Sequence, residues 1–173
     1  MAEMNFQNKI LVDKEAINDK VREIAGKISK DYEGEEIVLI GVLKGSFVFL
    51  SDLIRYITVP VEIDFISVSS YGSGTESTGT VKINKDSNIN FEGKNIILVE
   101  DIIDTGLTLS HLVDLFLCRK PKSLKTTSIF DKKERRKIDI IADYEGIVIP
   151  DEFVVGYGMD CNEKHRELPD LRY

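Results

Sequence analysis

Two short apolar runs, residues 37–43 and 95–99, constrain the fold more than any other feature of this chain. Each reads as a buried strand, and each passes through a turn into a segment of helical period, residues 47–56 and 108–119. A further helical segment, residues 14–30, carries Ile17, Val21, Ile24, Ala25 and Ile28 on one face. Asp13 is placed to cap its start and Gly34 to stop it. Residues 59–68 alternate and are rich in β-branched side chains, so they predict another strand. Residues 81–85, 124–130, 138–142, 146–149 and 153–155 are additional strand candidates. Strands alternating with helices predict an α/β fold with a mainly parallel sheet. Ligands of such sheets bind beyond the carboxyl ends of the strands. The turns after Leu43, Val68, Val99 and Phe130 are therefore where chemistry is expected.

At 173 residues, with no repeat and no linker, the chain is expected to form one domain. Its 30 acidic against 23 basic residues leave a net charge of −7. That balance argues against nucleic acid and anionic membranes as partners. Any anionic ligand must be held by local devices. Two cysteines, Cys118 and Cys161, are too few for a disulfide framework or a four-cysteine zinc site. Cys118 lies in an apolar helical pattern and is predicted to be a buried, inert thiol. Residues 1–9 lack a signal-peptide core, and no apolar run reaches the roughly 18–20 residues that span a bilayer. A reducing cytoplasm is the expected location.

The segment from Val99 to Thr108 is the most informative. A buried strand runs into Glu100 and Asp101, a third acid follows at Asp104, and Thr105, Gly106, Leu107 and Thr108 open a helix. Free backbone N–H groups at a helix N-terminus suit a phosphate. Gly106 allows close approach, and the Thr105 and Thr108 hydroxyls add hydrogen bonds. The acids upstream suit hydroxyls or a magnesium ion. Taken one by one, the same residues also serve as a helix cap and solvated acids. Neither a Walker A pattern nor GxGxxG occurs in the chain.

Residues 99–108 (VEDIIDTGLT) resemble the phosphoribosyl-pyrophosphate (PRPP) motif of type I phosphoribosyltransferases, most closely the hypoxanthine(-guanine) branch. Three more segments agree in order and character. They are Leu43-Lys44-Gly45-Ser46, then Ser70-Tyr71 through Ser77-Thr78-Gly79, and Phe153-Val154-Val155-Gly156-Tyr157 with Asp160 and Arg166. The resemblance spans nearly the whole chain. It implies the type I phosphoribosyltransferase fold: an α/β domain covering residues 1–173, with helices flanking the sheet. A small hood built from both terminal segments and a mobile loop at residues 69–79 are also implied.

The implied activity is transfer of the 5-phosphoribosyl group from PRPP to N9 of hypoxanthine or guanine, with Mg2+. A xanthine-preferring enzyme is one alternative. A PRPP- or nucleotide-binding regulator on the same fold is the other. Residues Asp104 to Thr108 would hold the 5′-phosphate, and Glu100 and Asp101 the ribose hydroxyls with magnesium nearby. Asp104 would face purine N7 as general acid/base. Lys44, Gly45, Ser70, Tyr71 and Arg166 would meet pyrophosphate, with a cis peptide at Leu43–Lys44 often found in the family. Lys132 would select the 6-oxo group, Phe153 would stack on the purine, and Val154 would offer backbone groups to its edge. Asp160 would lie near the base and a second magnesium. His111 and His165 match no catalytic position; His111 is expected to be structural and His165 exposed. The rest of the basic cluster, Lys133, Arg135, Arg136 and Lys137, is expected to be a solvated face. A homodimer or homotetramer is implied, with no nucleic-acid or membrane partner.

Overall fold

The apolar stripe of residues 14–31 closes onto a sheet because Asp13 starts the helix at the right place. Asp13 Oδ1 accepts the Ala16 N–H at 2.8 Å, and Ile17, Val21, Ile24, Ala25 and Ile28 are buried along one face. The computed structural model describes residues 8–70 and 81–173. In chain order the elements are β1 (Ile10–Val12), α1 (Lys14–Asp31), β2 (Ile37–Leu43) and α2 (Phe47–Leu53). Then come β3 (Val61–Ser70), β4 (Val81–Lys85), β5 (Asn95–Ile103) and α3 (Leu107–Leu117). The chain ends with β6 (Ser123–Asp131), β7 (Ile147–Val148) and β8 (Leu171–Arg172).

The main sheet has the order β4-β3-β2-β5-β6-β7. All its neighbours are parallel except β4, which runs antiparallel to β3 along the edge. β2 and β5 are central, which explains their unbroken apolar runs. Ile37, Leu39, Ile97 and Val99 pack on one face with α1 and α2, while Val38, Ile40, Ile96 and Leu98 pack on the other with α3. β1 pairs antiparallel with β8, tying the amino-terminal region to the carboxyl terminus.

Several expectations change. β5 continues past Val99 to Ile103 because β6 keeps supplying partners, through Ile103↔Asp131. Glu100 and Asp101 are thus fixed in the sheet's ladder and do not lie in a loop. α2 ends at Leu53, and the following residues tighten into i→i+3 bonds, Arg55 N–H to Asp52 O and Tyr56 N–H to Leu53 O. Residues 138–142 form no strand. Ile138 N–H turns instead to the Thr105 carbonyl, and Ile140 N–H to the Ile138 carbonyl. Residues 153–155 contribute one bridge, Val155↔Arg172. Cys118 is exposed, because it follows Phe116 by two residues and points to the opposite side of α3 from the buried Leu109, Leu112 and Phe116. His165 is half-buried, not exposed.

Candidate active site

The carboxyl ends of β2, β5 and β6 open into two adjoining cavities. One, of about 320 Å³, is lined by Lys44, Gly45, Glu100, Asp101, Asp104, Thr105, Gly106, Thr108, Asp160 and Arg166, among others. The other, of about 470 Å³, is lined by Lys132, Arg135, Asp151, Phe153 and Val154, together with Asp101, Asp104, Asp160 and Arg166. Asp101, Ile102, Asp104, Asp160 and Arg166 belong to both walls. Most residues singled out in the sequence therefore meet in one place. Leu107 opens α3 without lining either cavity. Ser69 and Ser70, expected to open the loop, are instead the last residues of β3, because Lys82 and Val81 of β4 pair with them; Tyr71 and the rest of the expected loop through Gly79 lie outside the described residues.

The first cavity is built for an anion at one end. Gly106 takes φ 83° just ahead of α3, a conformation that favours glycine, and so lets the backbone turn into the helix. The Thr105 hydroxyl accepts the Leu107 N–H at 3.4 Å. The positive end of α3 and its unpaired N–H groups face this side. At the other end, the Leu43–Lys44 peptide is cis. The Lys44 side chain reaches out to Glu163, whose two carboxylate oxygens both lie 3.0 Å from Nζ. Arg166 donates to the Gly158 carbonyl at 2.7 Å and pairs with Asp160 at 2.8 Å. Asp160 in turn accepts the Glu163 N–H at 2.7 Å.

The acids carry the strongest electrostatic signal. Burial pushes the Glu100 carboxyl well above the usual carboxylate range, and the neighbouring Asp101 adds to this. Burial also raises Asp101, to about 6; Asp160 pushes it further up, while the Ile102 N–H and Arg166 oppose the rise. Among the described residues, no three His, Cys, Asp or Glu side chains converge as a ready-made metal cage. Two adjacent carboxyls forced toward neutrality are nonetheless a pair that a divalent cation would restore to the charged form. Magnesium keeps much of its water and takes one or two carboxylates along with phosphate oxygens. The donor set fits such an ion arriving with a phosphorylated ligand.

The second cavity suits a flat, apolar ring with polar edges. Phe153 is 49% exposed, far from the core position its aromatic character would favour. Val154 is buried beside it. Lys132 is only 7% exposed, and its N–H donates to the Ile103 carbonyl at 2.9 Å. Its ammonium has no ion-pair partner among the described residues.

Sequence reasoning missed two cationic neighbours of Asp104. Arg136 is partly buried, donates to the Asp104 carbonyl at 2.6 Å and pairs with the buried Asp131. Arg135 Nε lies 3.0 Å from Asp104 Oδ1. Arg136 therefore leaves the solvated face, whereas Arg135 stays exposed on it with its guanidinium turned to Asp104. No local pattern separates them from Lys133 and Lys137; only the packing of residues 132–140 onto the 104–106 turn does so, through Lys137 N–H to Thr105 O at 3.0 Å.

A profile of the phosphoribosyl transferase domain matches residues 7–162. The chain is 49% identical to the hypoxanthine-guanine phosphoribosyltransferase of Aquifex aeolicus, over 94% of this chain and 92% of that one. The crystal structure of a hypoxanthine-guanine phosphoribosyltransferase from Bacillus anthracis superposes with a TM-score of 0.91 at 58% identity, covering 95% of this chain and 96% of that one. A hypoxanthine phosphoribosyltransferase from Staphylococcus aureus gives 0.92 at 45% identity, covering 98% and 95%. The bifunctional protein TilS/HprT of Listeria monocytogenes is 47% identical over 95% of this chain. The chain spans about a quarter of that longer relative, 26%.

Proposed function

The chain belongs to the phosphoribosyl transferase family, and from that premise we propose that it moves the 5-phosphoribosyl group of PRPP onto N9 of hypoxanthine or guanine. The products are the nucleoside monophosphate and pyrophosphate. The observation that carries this reading is the shared wall. Asp101, Asp104 and Arg166 stand between a cavity fit for phosphates and one fit for a purine.

Each group has a task in this reading. N–H groups of Thr105 to Thr108 hold the 5′-phosphate at the start of α3. Glu100 and Asp101 orient the ribose hydroxyls. They would also hold magnesium with Asp160, and that ion supplies charge neutralisation to the leaving pyrophosphate. The Lys44-Gly45 turn and Arg166 receive the pyrophosphate; the family resemblance assigns Ser70 and Tyr71 the same task. Phe153 stacks on the base, the Val154 backbone and Asp160 meet its edge, and the Lys132 ammonium donates to the 6-oxo oxygen. A 6-amino purine offers that buried donor no acceptor, so it is rejected.

In the transfer itself, N9 bonds to the anomeric carbon while the bond to pyrophosphate breaks and its electron pair leaves with the pyrophosphate. The proton lost from the imidazole ring goes to the Asp104 carboxylate. Such a base contributes roughly 10²–10⁴-fold, and the carboxylates around the site favour the positive charge that develops on the ribose.

No helix among the described residues is long and apolar enough to cross a membrane, and both cysteines are unpaired. A cytoplasmic location accords with this. The β1–β8 pair, with the residues that lead into β8, would form the small hood of a single domain. Self-association as a homodimer or homotetramer follows from the family resemblance, and sedimentation velocity tests it. The deciding assay supplies PRPP, Mg2+ and hypoxanthine and follows inosine monophosphate. Absence of turnover with hypoxanthine, guanine and xanthine would refute the reading.

A further inference from the structure

Asp104 is gripped twice, once on its backbone and once on its side chain. Arg136 holds the carbonyl, at 2.6 Å. Arg135 approaches the carboxylate, its Nε 3.0 Å from Oδ1. The side chain of Asp104 is 42% exposed, yet Oδ1 is shut off from solvent and makes no hydrogen bond. Its exposure therefore lies on Oδ2 and the rest of the side chain. The two oxygens of one carboxylate are not equivalent here: one is sealed beside a guanidinium, the other is left to the cavity.

Arg135 is itself anchored. Its Nη1 lies 3.4 Å from Asp151 Oδ1, and Asp151 stands two residues before Phe153. The guanidinium thus spans from the acid wall to the segment that carries the aromatic ring. It stands on the short 3-10 turn Lys133–Arg135, directly after Lys132. The same turn therefore joins the lysine for the 6-oxo edge to the cation beside the acid.

We propose that Arg135 is a positioning residue for phosphoribosyl transfer: it pairs with Asp104 Oδ1, so that Oδ2 is the oxygen presented to the purine proton. This rests on the function proposed above. A carboxylate free to rotate would divide its time between the cavity and other partners, and small errors of placement at a reacting centre are costly. The other charged groups on the walls of this cavity are Asp101, Lys132, Asp151, Asp160 and Arg166.

The experiment compares wild type with Arg135→Gln and Arg135→Lys. Arg135 is exposed, and the side chains of both its partners, Asp104 and Asp151, stay in part open to solvent, so the variants should fold. The Gln variant should lose about tenfold or more in kcat while KM for PRPP stays within about twofold. The Lys variant should be less impaired, because it keeps a cation within reach. A wild-type kcat in the Gln variant, or a Lys variant no better than Gln, would overturn the proposal. Carbon-13 NMR of the Asp104 carboxyl gives a readout independent of turnover. Its chemical shift at a fixed pH of 8 should move in the Gln variant as the guanidinium leaves Oδ1, and an unchanged shift also counts against the proposal. A wild-type protein without turnover would remove the function proposed above and leave that chemical shift to decide whether Arg135 holds the Asp104 carboxylate.

Discussion

Gly45 lies so close to Asp101 that a methyl group on Gly45 would overlap the Asp101 carboxylate. The turn after β2 and the acidic end of β5 are therefore held in contact by the absence of one side chain. This contact brings the Lys44-Gly45 turn up to the acids at the end of β5.

Gly45→Ala should push these two walls apart. Affinity for PRPP, measured by calorimetry, should fall at least about tenfold. Affinity for a free purine should change much less, since Gly45 does not line the second cavity. Equal loss for both ligands would mean a general collapse of the site.

Asp104→Asn removes the carboxylate proposed as proton acceptor and retains the shape. Turnover should fall at least about tenfold while PRPP still binds. Unchanged kcat would remove Asp104 from the acid/base role.

Asp101 makes stability depend on pH in a direction opposite to most carboxylates. Its folded value, near 6, lies above the unfolded value of about 3.9. Ionising it in the folded protein is thus unfavourable. The penalty is absent below about pH 4, grows between about pH 4 and 6, and is full above that. Asp101→Asn should raise the melting temperature at pH 8, corresponding to about 2–3 kcal/mol, and leave it unchanged at pH 3.5. A gain at both pH values would point to a cause other than ionisation.

Arg136→Met keeps most of the apolar volume but strips Asp131 of its counter-charge. Asp131 is 3% exposed, so an unpaired carboxylate would be left buried. Denaturant unfolding should show a loss of about 3–5 kcal/mol. A loss under about 1 kcal/mol would mean that water reaches Asp131 after all.

Phe153→Ala should separate binding from folding. Because the ring is half-exposed, its loss should scarcely move the melting temperature. Purine affinity should drop by about 1–3 kcal/mol, the usual worth of base stacking on an aromatic ring. A large loss of stability with intact purine binding would return Phe153 to the core.

Much was legible in the sequence because it is encoded locally. The bounds of β2 and β4 and the Asp13 cap follow from hydrophobic period and capping chemistry over a few residues. So does the acidic strand end followed by Thr105-Gly106, since strand, turn and helix start are adjacent in the chain. The full length of β5 was not legible, because the partners of Glu100, Ile102 and Ile103 stand on β6, nearly thirty residues on. Cys118 misled because it lies among apolar neighbours, whereas its side of the helix decides its exposure. The basic cluster shows the limit most clearly. Lys133, Arg135, Arg136 and Lys137 look alike as a run of charges. Folding sends Lys133 to the exposed Glu145, Arg135 to the Asp104 carboxylate, and Arg136 inward to Asp131 and the Asp104 carbonyl. The sequence by itself determined the strand–helix order and where the acids would gather. Which cation serves which acid was decided only by tertiary structure, because charge pairing depends on distance in space and on burial, and neither is written in the spacing of residues along the chain.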